Sequence, residues 1–141
     1  MRESWKMISA EVSIRVRYQE TDQMGVVYHG NYFTWFEAAR VELLDHLGCP
    51  YRDLEKRGYL LPVLHCEAKF SKPAHFDDRL VVRVTISESP MAKIKIHYQV
   101  FRDQEVLCSG RTTHAFVDTN GKLCRPPASF LSKFKERTGT G

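Results

Sequence analysis

Apolar and polar residues alternate from Glu11 to Tyr18, with Val12, Ile14, Val16 and Tyr18 on one side and Ser13, Arg15 and Arg17 on the other. That two-residue period predicts a strand buried on one face. Gln19 to His29 loses the period, and its Thr21, Asp22 and Gly25 are loop residues. Asn31 to Leu47 reads as a long helix. Its Tyr32, Phe33, Trp35, Phe36, Ala38, Ala39, Val41, Leu43, Leu44 and Leu47 cover more than one face, so the helix is expected to be largely enclosed. Gly48 stops it, Pro50 prevents continuation, and Tyr51 to Arg57 predicts a short second helix ended by Gly58.

Period two then returns. Leu64, Cys66, Ala68 and Phe70 form one alternating set; Leu80, Val82, Val84 and Ile86 a second; Ile94, Ile96, Tyr98 and Val100 a third; Cys108, Gly110, Thr112, His114 and Phe116 a fourth. Arg102–Glu105 reads as a tight turn, Asn120-Gly121 as a hairpin signal, and Ala128 to Glu136 as a closing helix. One strand, one long apolar helix and then four or five consecutive strands define an α+β chain, with a mostly antiparallel sheet on one buried helix.

With 141 residues, a single domain over 1–141 is expected, with 137–141 as a frayed tail. A domain this small has little room for a deep cleft of its own and often builds one between subunits. No apolar run approaches a membrane span, and Met1 to Glu11 shows no secretion signal, so a cytoplasmic protein is the default expectation. Cys49, Cys66, Cys108 and Cys124 include no C-x-x-C spacing, which argues against zinc and for free thiols in a reducing compartment. The net charge of +4 suits an anionic ligand. It would also suit nucleic acid, but no zinc-finger, RNP or phosphate-loop pattern supports that reading.

Functional residue types are densest from Tyr18 to Tyr32. Asp22 lies in a loop beside Met24, Val26, Val27 and Tyr28, where a carboxylate can act as nucleophile or general base. The loop runs into a helix N-terminus, whose free N–H groups and positive dipole end can hold an oxyanion. Tyr28 and His29 bring polar tips to the same junction. An Asp in this setting also forms Asx turns, and Gly25 permits a tight bend with or without catalysis. No G-x-S-x-G nucleophile elbow is present.

The segment from Arg17 to Arg40, with its T-D-x-x-G-x-V-Y-H core, following N-Y and E-x-x-R, resembles the signature of the 4-hydroxybenzoyl-CoA thioesterase family. It is especially similar to the bacterial Tol–Pal-linked branch of short acyl-CoA thioesterases. Leu61–Val63 and Ser71–Asp78 are similar to later stretches of that family, so the resemblance runs to about Asp118. It implies a hotdog fold, a long helix wrapped by an antiparallel sheet, and hydrolysis of an acyl-CoA. Asp22 matches the catalytic carboxylate, as nucleophile or general base. The N–H of His29 or Gly30 matches the oxyanion donor, Tyr28 and the His29 side chain match a pair that orients thioester or water, and Gly25, Val26 and Val27 shape the loop. A homodimer or homotetramer with sites between subunits is implied. No metal or cofactor is implied beyond the coenzyme A of the substrate.

Lys72, Lys93 and Lys95 are candidates for the CoA phosphates, and His65 for the cleft. Phe33, Trp35, Phe36, Tyr59 and Leu60 are candidates for an apolar acyl lining or for core. Two alternatives use the same sequence: an acyl-thioester dehydratase or hydratase on this fold, built on His29, and a non-catalytic partner of acyl carrier protein, an acidic protein that a positive surface would suit.

Overall fold

The computed structural model describes residues 7–86 and 92–138. The expected tail falls partly outside this range, at 139–141, as do residues 1–6 of the segment read for a secretion signal. Arg137 and Thr138 correct the rest of the tail reading. Both belong to the last helix, where Thr138 is buried and Arg137 donates to the His46 carbonyl at 2.7 Å.

The elements are β1 (Ile8–Arg15), α1 (Gly30–Leu47), α2 (Tyr51–Lys56), β2 (Val63–Phe70), β3 (Arg79–Ile86), β4 (Ile94–Arg102), β5 (Glu105–His114) and α3 (Ala128–Thr138). The strands form one sheet in the order β1-β3-β4-β5-β2, antiparallel at every step. The first strand starts and ends earlier than its alternation predicts. Tyr18–Glu20 is a 3-10 turn, and Tyr18 is exposed rather than part of a buried stripe. The turn wins because the Glu20 carboxylate accepts the Arg17 N–H, closing the chain on itself before the pairing can continue.

The β4–β5 pairing begins at a tight turn. Arg102 pairs with Glu105, leaving Asp103-Gln104 as a two-residue loop in which Asp103 takes a φ of 57°. At Asn120-Gly121 only Gly121 has positive φ, and the flanking chain forms isolated bridges rather than full strands.

Helix α1 buries Tyr32, Trp35, Phe36, Ala39, Leu43, Leu44 and Leu47, and Gly48 ends it in the left-handed region at φ 90°. Ala38 and Val41 stay exposed, so the helix is covered over one broad face rather than enclosed. Phe36 lies over the sheet, stacked on Tyr98 with ring centroids 4.3 Å apart.

Beneath it runs a chain of buried polar groups. The His114 Nδ1 faces the Leu61 carbonyl, which can only accept, so Nδ1 carries the proton and Nε2 is the acceptor. The Thr112 hydroxyl therefore donates to Nε2 at 2.8 Å and accepts from Tyr98 Oη at 2.6 Å, while Arg40 donates to that Tyr98 oxygen.

β2 forms where its alternation predicts, yet every residue of it but the half-buried Ala68 is exposed. Leu64 is 50% and Phe70 45% exposed, because this edge strand meets α1 only at its end, where Tyr32 lies 5.0 Å from the Phe70 ring. No helix among the described residues is long and apolar enough to cross a membrane. All four cysteines are free.

Candidate active site

The loop between β1 and α1 is built from short-range hydrogen bonds. Asp22 N–H donates to the Val26 carbonyl at 2.8 Å and Gly25 N–H to the Asp22 carbonyl at 3.0 Å, closing a turn that needs Gly25 at φ 81°. Asp22 Oδ1 accepts the Met24 N–H at 2.8 Å, an Asx turn. The second carboxylate oxygen has no partner among the described residues. One oxygen thus fixes the side chain, and the other stays available.

The turn is fastened at both ends. Val27 N–H donates to Ala74 O at 2.9 Å, and Tyr28 N–H to Glu20 O at 2.9 Å. Asn31 and Tyr32 N–H groups close onto Tyr28 and His29 carbonyls. Between these bonded residues, the N–H groups of His29 and Gly30 donate to no acceptor among the described residues. They are two of the orphan donors that every helix start carries.

Asp22, Val26, Val27, His29, Tyr32, Phe70, Ser71, Lys72 and Pro73 line one open cavity of about 330 Å³. The far wall is the segment after β2, held by Ser71 and Lys72 N–H groups that both donate to Leu107 O. Arg102 braces this wall, with Nη1 on Asp78 at 2.8 Å and Pro73 O at 3.2 Å and Nη2 on Glu105 at 3.0 Å. Glu105 also pairs with the Lys72 ammonium, and hydrogen bonds from Lys72 and Arg102 hold its carboxyl below the usual range. Burial pushes the Tyr32 phenol up to about 12, so it remains a neutral hydroxyl at the cavity wall.

Of the residues singled out from sequence, the structure brings Asp22, Val26, Val27, His29 and Lys72 to this cavity. Gly25 and Gly30 shape it through the backbone without lining it. Tyr28 does not reach it: the side chain is 51% exposed, and its ring lies 4.3 Å from the His29 ring and over Gly30, where a Cβ would stand 2.8 Å from Tyr28 Cε2. Lys93 and Lys95 are exposed at the start of β4 and on its outward side, away from the cavity. His65 is turned away by the same alternation, and bonds Glu67 at 2.8 Å beside Arg111.

For Phe33, Trp35, Phe36, Tyr59 and Leu60, expected as acyl lining or as core, the structure separates the two possibilities. Trp35 and Phe36 are core, and none of the five lines this cavity. Its aromatic wall is Tyr32 and Phe70, which alternation alone marked as helix and strand residues. Ser71 and Pro73 lie in the Ser71–Asp78 stretch that carried part of the resemblance. No group of three or more His, Cys, Asp or Glu side chains among the described residues could hold a metal ion.

The sequence pattern of the thioesterase-like superfamily matches residues 16–134, extending past Asp118. The chain is 39% identical over 124 residues to YneP of Bacillus subtilis, provisionally named an acyl-CoA thioesterase, covering 87% of this chain and 88% of the relative. It is 33% identical over 123 residues to acyl-CoA thioesterase YbgC of Haemophilus influenzae, covering 86% and 88%. The DHNA-CoA thioesterase of Staphylococcus aureus superposes with a TM-score of 0.86 at 28% identity, covering 91% of this chain and 89% of that one. The hotdog fold and these relatives mark the chain as a thioester hydrolase. The chain belongs to the thioesterase-like superfamily.

Proposed function

We propose that this protein is an acyl-CoA thioesterase, releasing a free acid and coenzyme A, with Asp22 as its catalytic carboxylate. The observation that carries the reading is that Asp22, with one carboxylate oxygen unpartnered among the described residues, and His29, with its N–H unused there, line one cavity. The Asp22 oxygen attacks the thioester carbonyl carbon, or takes a proton from the water that does. Carbonyl electrons move to oxygen, and the N–H of His29, with Gly30 behind it, stabilises that charge. The C–S bond then breaks and the thiolate leaves and is protonated; an anhydride on Asp22, if formed, is cleaved by water. The His29 ring orients the thioester or water, and Tyr28 supports it through a tilted ring contact.

Lys72 is the lysine suited to a CoA phosphate, and it would exchange its Glu105 partner for it. The uncovered Val63, Leu64 and Phe70 of the β2 edge support a homodimer or homotetramer completed across that edge. Four free thiols suit the cytoplasm.

The test is thiol release from acyl-CoAs running from acetyl to palmitoyl, with benzoyl and 4-hydroxybenzoyl, and from acyl carrier protein thioesters. Wild type and Asp22→Asn are compared side by side. The variant should fold and assemble normally and lose about 10²-fold or more in kcat. Wild-type turnover in the variant removes Asp22 from the mechanism, and release only from the carrier protein changes the substrate class.

A further inference from the structure

The most deeply buried acidic side chain among the described residues is Glu20, 6% exposed and two residues before Asp22. Burying a carboxylate is costly unless donors surround it. Here both oxygens are used: Oε1 accepts the Arg17 N–H at 2.8 Å, and Oε2 accepts the Trp35 Nε1–H at 3.1 Å and Arg17 Nη2 at 3.4 Å. The Glu20 carbonyl accepts two more, from Tyr28 N–H at 2.9 Å and Asn31 Nδ2 at 2.8 Å. One residue thus ties the start of the loop to its end and to the first two turns of α1. Asp22 hangs from one side of this clamp. His29 and Gly30 sit between two of its attachment points, Tyr28 and Asn31.

We infer that Glu20 is a positioning residue: its carboxylate sets the distance between the Asp22 oxygen and the helix-start N–H groups. The inference rests on the reading of Asp22 above and goes beyond it. Glu20 does not line the cavity and touches no reacting atom. The requirement is for a carboxylate and not only for a side chain of that shape. Two N–H donors approach two different oxygens, whereas glutamine has one acceptor oxygen and must aim its NH₂ at either the Arg17 or the Trp35 N–H.

The experiment compares wild type, Glu20→Gln, Trp35→Phe, the double variant, Asn31→Ala and Asp22→Asn. Rates are normalised to folded protein and measured well below each melting point. Glu20→Gln is expected to lower kcat at least about 10-fold with KM within about threefold, since sub-ångström to ångström misplacement of reacting groups costs up to about 10²-fold. Trp35→Phe removes one donor, so the glutamine NH₂ no longer faces an N–H. The double variant should then lose less than the product of the two single losses. Asn31→Ala, which removes a bond to the Glu20 carbonyl alone, should shift kcat the same way should Glu20→Gln fail to fold.

Amide hydrogen exchange supplies a readout independent of turnover: the Tyr28 N–H should exchange about 10-fold faster or more in Glu20→Gln. Unchanged kcat per folded molecule, or unchanged Tyr28 protection, overturns the inference. Wild-type turnover in Asp22→Asn instead sinks the catalytic reading, and the Tyr28 exchange then still decides whether the carboxylate runs the clamp.

Discussion

Replacing Gly110 with alanine should damage the core through a single methyl group. A Cβ on Gly110 would stand 2.4 Å from Phe36 Cε2, 2.5 Å from Phe36 Cζ and 3.1 Å from the Glu67 carbonyl oxygen. Carbon contacts are comfortable at about 3.5–4.0 Å, so the ring must retreat by about 1 Å or more. It has nowhere to go, because Phe36 is fully buried, stacked on Tyr98 at 4.3 Å and edge-on to Phe33 at 5.6 Å. The Glu67 oxygen is sheet backbone and fixed by the β2–β5 ladder. Overpacking of this kind costs about 1–3 kcal/mol, and the upper end applies where the obstacle is a stacked ring. For a domain of this size about 3 kcal/mol corresponds to a fall in Tm of about 10 °C.

Thermal and urea unfolding of Gly110→Ala measures the cost, and Phe36→Leu in the same background should recover part of it by vacating the space. A Gly110→Ala melting point within about 2 °C of wild type would refute the reasoning. So would strictly additive effects of the two substitutions, because residues in contact are expected to couple.

His114 makes stability depend on pH. Burial lowers its folded pKa to about 4, against 6.5 when unfolded. Between those values the unfolded chain binds a proton that the folded chain does not, so stability is full above pH 6.5 and declines as pH falls towards 4, by about 3 kcal/mol in all. Urea titrations at pH 7 and pH 5 should differ by about 2 kcal/mol in wild type and by much less in His114→Gln; equal pH dependence in the two would remove His114 as the cause. Gly25→Val should lower Tm by several degrees and kcat with it, through about 1–3 kcal/mol of strain at φ 81° and not through a clash, since nothing lies within 4 Å of the Cβ position. Gly25→Asn, which tolerates the left-handed region, should be milder, and equal Tm values for all three proteins would contradict the strain argument.

The strands and helices were legible in the residue order, apart from the end of β1, because the two-residue and helical periods are local properties of the chain. Gly48 stopping α1 and the Asp103-Gln104 loop belong to the same class: each is set by what a few adjacent residues can do with φ and ψ. The Tyr18–Tyr32 segment was legible as the chemical region for a related reason, since a loop running into a helix start is written in consecutive residues.

Contacts between distant residues came instead from the packing of the elements. Phe70 and Lys72 share a cavity with Asp22 only because β2 sits at the sheet edge beside β5 and its following segment folds back towards the β1–α1 loop. His65, Lys93 and Lys95 carry the right chemistry, but sheet pairing leaves them away from the cavity. Glu20 looked like one more loop residue; its burial, and the Trp35 indole and Asn31 amide closing on it, depend on α1 docking against the loop. Period fixes which way a side chain leaves its own element. What it then meets is set by how the elements pack.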